Sequence, residues 1–328
     1  MSGRITYTKA QLDQYFTRVN LPPSQWLYDV SKRDGSFQKS HLELLLRHQL
    51  TSVPFENVTL HYSTHRVINI NAKHLVDKIL RQPGRGGYCM ENNTLFHTIL
   101  LSLGFDVYLV GGRVFENGRL AGLAHCLNIV TIDGERYAVD VGYGPNEPIR
   151  PLKIIDREIQ PHVGPASVRL RFDAVPGGLK RDQKIWIYEL RQNDDSEWVP
   201  CYCFTEMEFL PEDFSVMNYW PQKDPRSIFV QKLLCVRFTS EGQTFAKPDD
   251  TQSKDPWTSA ATTGGEINGT LILVGDSFKW RVNGVKVFEK QLSSEEERIR
   301  VLEQYFGMEL TESEKEAIKG TATALSLP

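Results

Sequence analysis

The 328-residue sequence predicts an α+β fold: helices first, then a mostly antiparallel sheet, then a mixed C-terminal part. Three observations predict it. Apolar residues in the first hundred positions recur at helical spacing, and the period changes to strand-like from Asp106. The β-rich runs that follow are separated by Gly, Asn and Asp, not by helices. That order argues against an alternating α/β chain with a parallel sheet.

Each element has its own signal. Ser40-His41-Leu42-Glu43 is a capping-box pattern, followed by Leu42, Leu45 and Leu46 at helical spacing. Asn71 is placed to cap a second helix, with Leu75, Val76, Ile79 and Leu80 as its apolar stripe. A third helix begins near Cys89, buries Leu95, Phe96, Ile99 and Leu103, and stops at Gly104. Strands are expected over 107–115, 127–132, 136–141, 168–172, 185–190, 232–238, 270–274 and 279–282. The stretch 240–268 is polar with few apolar anchors and reads as a long surface excursion. Ser294-Glu295-Glu296-Glu297 opens a last helix, with Ile299, Leu302, Tyr305 and Phe306 on one face.

Composition narrows the function. Hydrophobic residues make up 40% and charged residues 24%, as in an ordinary globular enzyme with two or three structural units. A formal net charge of −3 gives no pull toward nucleic acid or an anionic membrane. No apolar run approaches the roughly 20 residues of a spanning helix, and no apolar signal core follows Met1. The five cysteines are too sparse for a disulfide framework, so a reducing cytoplasm is expected.

Arg85-Gly86-Gly87-Tyr88-Cys89 is the most informative segment. Two glycines allow a tight turn just before a helix, placing Cys89 in its first turn. There the helix dipole favours a thiolate, and the same N–H groups could hold an oxyanion on an attacked acyl carbon. The plainer alternative is a buried cysteine filling space behind a glycine turn.

A hairpin supplies the second piece. Asp133-Gly134 is a strong two-residue turn between 126–132 and 135–141. If Ile132 pairs with Glu135, Asp140 faces Leu127, and His125 lies two residues further along the same face. The two are then diagonal neighbours about 7–8 Å apart at the backbone. A one-residue slip would separate them. In this register a carboxylate can steady an imidazole that takes a thiol proton, so Cys89, His125 and Asp140 are the candidate catalytic residues.

At these residues the sequence resembles the arylamine N-acetyltransferases. The resemblance is carried by Arg85–Cys89 with Glu91 and Asn93, by His125 just before the hairpin, and by Tyr137-Ala138-Val139-Asp140-Val141-Gly142-Tyr143-Gly144. Pro54-Phe55-Glu56-Asn57, the stretch 148–152 and Tyr305-Phe306-Gly307 also match. It implies a helical domain over 1–104 with the cysteine, a β-barrel-like domain over 105–214 with the histidine and aspartate, and an α/β lid over 215–328. It also implies a ping-pong reaction without a metal: Cys89 takes an acyl group from acetyl-CoA and passes it to an arylamine or arylhydrazine. The excursion at 240–268 and the overall length look like fungal members, some of which use malonyl-CoA. A malonyl carboxylate would need a cation in the donor pocket, and Arg85, Arg113 and Arg119 are near the candidate residues in sequence.

Other signals point elsewhere. Cys201-x-Cys203 has no second ligand pair and reads as strand, and His61 and His65 read as surface residues. Gly111-Gly112-Arg113 lies in a strand-like run and lacks a phosphate-loop ending. The tryptophans 186, 198, 220, 257 and 280 read as core or lid packing. Two rival functions remain on sequence grounds: a cysteine hydrolase or transglutaminase-like enzyme with the same triad, and a non-catalytic binding protein on this fold.

Overall fold

In the computed structural model the described residues are 4–116, 118–243 and 265–325. The chain opens with α1 (Lys9–Arg18) and α2 (Gly35–Ser52), then a two-residue strand β1 (Phe55–Glu56) and the single turn α3 (Val58–His61). α4 (Ala72–Leu75) runs into a π-helical turn at Val76–Leu80, and α5 (Cys89–Ser102) follows. Asn71 caps α4 as expected, accepting from the Lys73 N–H at 3.0 Å. α5 begins at Cys89 and is stopped by Gly104 at φ +84°.

α2 starts earlier than its sequence pattern suggests. Asp34, not Ser40, is the cap, accepting from the Phe37 N–H at 3.0 Å. Ser40 lies inside the helix and donates to the Ser36 carbonyl. A second correction concerns His61. It is buried, and its ring meets Asn57, Thr323 and the carbonyls of Phe229 and Lys232. Only His65 is exposed.

Nine strands form one antiparallel sheet: β2 (Asp106–Glu116), β3 (Arg119–Leu120), β4 (His125–Ile132), β5 (Glu135–Val139), β6 (Leu152–Lys153), β7 (Gln160–Pro161), β8 (Ser167–Ala174), β9 (Lys184–Arg191) and β10 (Val199–Glu208). Its order is β6-β5-β4-β2-β10-β9-β8-β7, with β3 on β2. Beyond β6, Asp156 bridges to Leu170 of β8, and the Arg157 N–H reaches the Leu170 carbonyl. The two ends of the sheet thus approach each other, giving a barrel-like wall around Val110, Leu127, Leu170, Tyr188, Tyr202 and Phe204.

Three short helices come next: α6 (Pro211–Met217), α7 (Tyr219–Lys223) and α8 (Ile228–Gln231). Lys232 and Leu233 therefore precede the expected strand at 232–238 instead of starting it. A five-stranded sheet follows from β11 (Leu234–Ser240), β12 (Ile267–Val274), β13 (Ser277–Val282) and β14 (Val285–Gln291), with β1 on the free edge of β11. The ends of the polar excursion are neighbouring strand residues, Ser240 opposite Ile267, and most of its length lies outside the described residues. α9 (Glu295–Phe306), capped by Ser294 and ended by Gly307 at φ +65°, packs Leu302, Tyr305 and Phe306 against Phe278. α10 (Glu312–Ala317) closes the described chain.

Candidate active site

The cysteine turn is shaped by close backbone approach. A Cβ at Gly86 would sit 1.9 Å from the Pro54 carbonyl oxygen, a contact no side chain can make. Gly87 bonds in both directions across β1, its N–H to the Pro54 carbonyl at 3.3 Å and its carbonyl from the Glu56 N–H at 3.1 Å. Behind the turn, Glu56 lies in a buried ion cluster with Lys78 (3.2 Å) and Arg85 (3.4 Å), and Lys78 also holds Glu91 at 2.7 Å. The Glu91 carboxylate in turn accepts from the Tyr88 N–H at the start of α5.

β4 and β5 pair in the expected register, Ile132 opposite Glu135 and Asn128 opposite Val139. The Asp133-Gly134 loop has both residues at positive φ, +50° and +78°, as a type I′ turn requires. His125, the first residue of β4, and Asp140, just past β5, therefore share a face. His125 Nε2 lies 2.7 Å from Asp140 Oδ2, and both side chains are buried. The other carboxylate oxygen accepts from Asn93 Nδ2 at 2.8 Å and from the Gly142 N–H at 2.9 Å. Rings of Tyr143 and Tyr202 wall the imidazole, with centroids at 5.6 and 4.8 Å.

Cys89 completes the cluster. With Nε2 committed to Asp140, Nδ1 is the ring nitrogen left for the thiol. Three thiols or rings shape the charge here. The Cys89 thiol is pulled down to about 6, first by a hydrogen bond from the Cys126 thiol and then by His125, against the opposing effect of burial. Burial alone would push His125 down, but the Asp140 charge and hydrogen bond outweigh it and raise it to about 10. Both shifts favour a thiolate facing an imidazolium. Burial pushes the Cys126 thiol and the nearby Glu147 carboxyl upward, which disfavours a second negative charge here.

The cluster opens on a cavity of about 340 Å³. Phe55, Val114, Tyr143, Trp220, Phe229 and Ile272 line it together with Cys89 and His125. Among the described residues its one charged wall residue besides the cluster is Glu116, which is exposed. None of the three arginines near in sequence reaches it. Arg85 is buried against Glu56 and Glu314, Arg113 donates to the Ala121 carbonyl at 3.3 Å, and Arg119 is exposed on β3. Trp220, expected as packing, forms part of this cavity wall. Cys201 and Cys203 lie in β10 as expected of strand residues. Among the described residues no cluster could hold a metal ion, and no helix is long and apolar enough to cross a membrane.

Cys126 was not singled out by sequence reasoning. It adjoins His125, and strand alternation points neighbours to opposite faces. α5 packs over that second face, so the Cys126 Sγ meets the Cys89 carbonyl at 3.3 Å.

Comparison with known proteins places this architecture. The N-acetyltransferase family model matches residues 40–263. An N-malonyltransferase of Gibberella moniliformis, FDB2, is 30% identical, covering 97% of this chain and 93% of its own. Human arylamine N-acetyltransferase 1 is 33% identical over 208 residues, 60% of this chain and 70% of its own. Among solved structures, arylamine N-acetyltransferase from Salmonella typhimurium superposes with a TM-score of 0.74 at 24% identity, covering 95% of this chain and 98% of that one. The Mycobacterium marinum enzyme in complex with CoA gives 0.70 at 21%, covering 94% and 98%. The class is thus an N-acyltransferase, an enzyme that moves acyl groups to amines. More narrowly, the chain belongs to the arylamine N-acetyltransferase family.

Proposed function

We propose that Cys89 is the nucleophile, His125 its proton acceptor and Asp140 the residue that steadies the imidazole, and that the acyl donor is acetyl-CoA. The observation that carries this reading is the buried thiol–imidazole–carboxylate cluster at the wall of an apolar cavity. The Cys89 thiolate attacks the thioester carbonyl, and first-turn N–H groups of α5 stabilise the oxyanion. CoA leaves as its thiol with the proton of the imidazolium, and the acyl group stays on sulfur. An arylamine or arylhydrazine then attacks the Cys89 thioester. Its proton passes to His125 Nδ1, the amide leaves, and the thiolate–imidazolium pair returns. Thiolate-for-thiolate exchange is nearly balanced, so the acyl-enzyme forms without a metal.

Acetyl is favoured over malonyl because, outside the thiol–imidazole–carboxylate cluster, the described residues of the wall include no cation and one carboxylate, Glu116. The same reading assigns the chain to the cytoplasm and divides it into units over 1–104, 105–214 and 215–328.

Intact mass spectrometry after incubation with acetyl-CoA alone tests the proposal. One acetyl adduct is expected, which transfers to added aniline and is absent in Cys89→Ser. An adduct lost to water at the same rate with or without aniline would indicate a hydrolase. With acetyl-, propionyl- and malonyl-CoA compared, acetyl is expected to exceed malonyl about tenfold or more in kcat/KM. A malonyl preference would overturn the donor assignment.

A further inference from the structure

On the other side of α5 from Cys89 lies a second cavity, of about 320 Å³. Its walls include Ile70, Leu101, Leu109, Phe209 and Phe214, with the two phenylalanine rings 5.9 Å apart. An apolar cavity of about 150 Å³ suffices to hold a benzene ring. The one buried side chain in its wall with a ring nitrogen is His97, which is 6% exposed.

The proton position on His97 follows from a chain of bonds with no freedom of direction. The Val141 N–H can only donate, and it meets Asn93 Oδ1 at 3.1 Å. Asn93 Nδ2 must then face the other way, where it donates to Asp140 Oδ1 and to the Cys126 carbonyl, each at 2.8 Å. The Asn93 backbone carbonyl can only accept, so the Asn128 atom 3.2 Å from it is Nδ2, which also donates to the Asn93 side-chain Oδ1 at 3.4 Å and so joins the two amides. Asn128 Oδ1 is left facing His97 Nδ1 at 3.2 Å and needs a donor. His97 Nδ1 carries the hydrogen. Burial also pushes this imidazole down to about 4, so it is neutral and Nε2 keeps a bare lone pair.

We propose that this cavity is a second ligand site, for a small neutral aromatic molecule bearing one O–H or N–H donor, and that its occupant is linked to Asp140 through His97, Asn128 and Asn93. The apolar walls take the ring, and the bare Nε2 takes the donor. Arg4 at the wall is paired with Glu208, so a cation would be desolvated among apolar walls without a counter-charge, and an anion finds Nε2 to be an acceptor facing an acceptor. When Nε2 accepts a hydrogen bond, the Nδ1–H becomes a stronger donor, and each amide further along is polarised in the same sense. The Asn93 bond to Asp140 strengthens, and the carboxylate holds the imidazolium less tightly.

Crystals soaked with 4-bromophenol test the site without relying on turnover. The anomalous bromine peak is expected in the cavity against the Phe209 and Phe214 rings, with the hydroxyl on His97 Nε2. In solution, 4-bromoanisole, which lacks the donor, is expected to bind about tenfold more weakly to the unaltered protein. His97→Phe and His97→Leu should abolish the difference between the two probes. Equal affinity of the two probes, or bromine in the Cys89 cavity alone, would overturn the site. Saturating 4-bromophenol is expected to slow Cys89 alkylation by iodoacetamide about twofold in the unaltered protein, and not in His97→Phe. An unchanged rate with the site occupied would overturn the link.

Discussion

Cys89 sits where two opposing effects meet, and the pH dependence of its reactivity reports which one prevails. Burial raises a thiol, while hydrogen bonds and an imidazolium lower it. Here the second group wins, and the folded value lies below the ordinary one, so thiolate is present above the folded value and lost as pH falls through it. Alkylation of the free enzyme by iodoacetamide is expected to rise with a midpoint at about pH 6. Cys126→Ala removes the leading cause and should move that midpoint upward by about one pH unit. A midpoint near the ordinary thiol value in the unaltered enzyme would contradict the ion pair. Gly142 constrains the same centre sterically. A Cβ there would lie 2.7 Å from the Cys89 Cα and 2.8 Å from Asn93 Nδ2. Gly142→Ala is expected to fold and to lose about a hundredfold in kcat/KM, because small displacements of reacting groups are costly. The candidate triad was legible in sequence because the Asp133-Gly134 turn sets the register and alternation does the rest. Cys126 and Asn128 were not, since their partners lie on α5, and nothing in a strand's own pattern says which helix covers it.

Helix caps decide where elements begin, and α2 shows how sequence can mislead about them. Ser40 with Glu43 satisfies the capping-box pattern, yet the helix already runs through it from Gly35. The Asp34 carboxylate accepts from the Ser36 hydroxyl and the Phe37 N–H. Asp34→Ala should therefore cost about 1 kcal/mol in urea unfolding, and Ser40→Ala less than about 0.5 kcal/mol. The reverse ranking would restore the sequence-based start. The β13–β14 hairpin carried a readable signal at Asn283-Gly284, both at positive φ, but β14 was missed because its residues are mostly exposed and three of the seven are charged. α6 has Pro211 at its first position and acidic residues in its first turn, a valid start signal in a segment too short for periodicity to register. The π-helical turn at Val76–Leu80 leaves its stripe of buried residues unchanged, so spacing alone does not reveal it.

Across the molecule, stability and site are joined through one buried carboxylate. Glu56 faces Lys78 and Arg85 and accepts from the N–H groups of Gly86 and Val58. Burial alone would raise it, but the two cations hold it at about 2. Its contribution is thus fully present above the ordinary carboxylate range and lost only as pH falls through about 2. Glu56→Gln leaves two buried cations undercompensated and should cost about 3–5 kcal/mol in chemical denaturation. A loss under about 1 kcal/mol would show that water reaches the cluster. None of this cluster was legible as a unit, because its members lie on β1, the π-helical turn and the glycine turn, with Glu314 of α10 adding a fourth segment. β1 itself reaches in two directions at once. Phe55 pairs with Val236 of the distant sheet and bridges to Gly87 beside the reactive sulfur. A chain cut before β11 would keep Cys89, His125 and Asp140 and still lose the neighbour that seats the cysteine turn. The last third of this polypeptide therefore cannot be exchanged as a module, because a foreign replacement would take away the strand that backs β1, against which the Cys89 turn is seated.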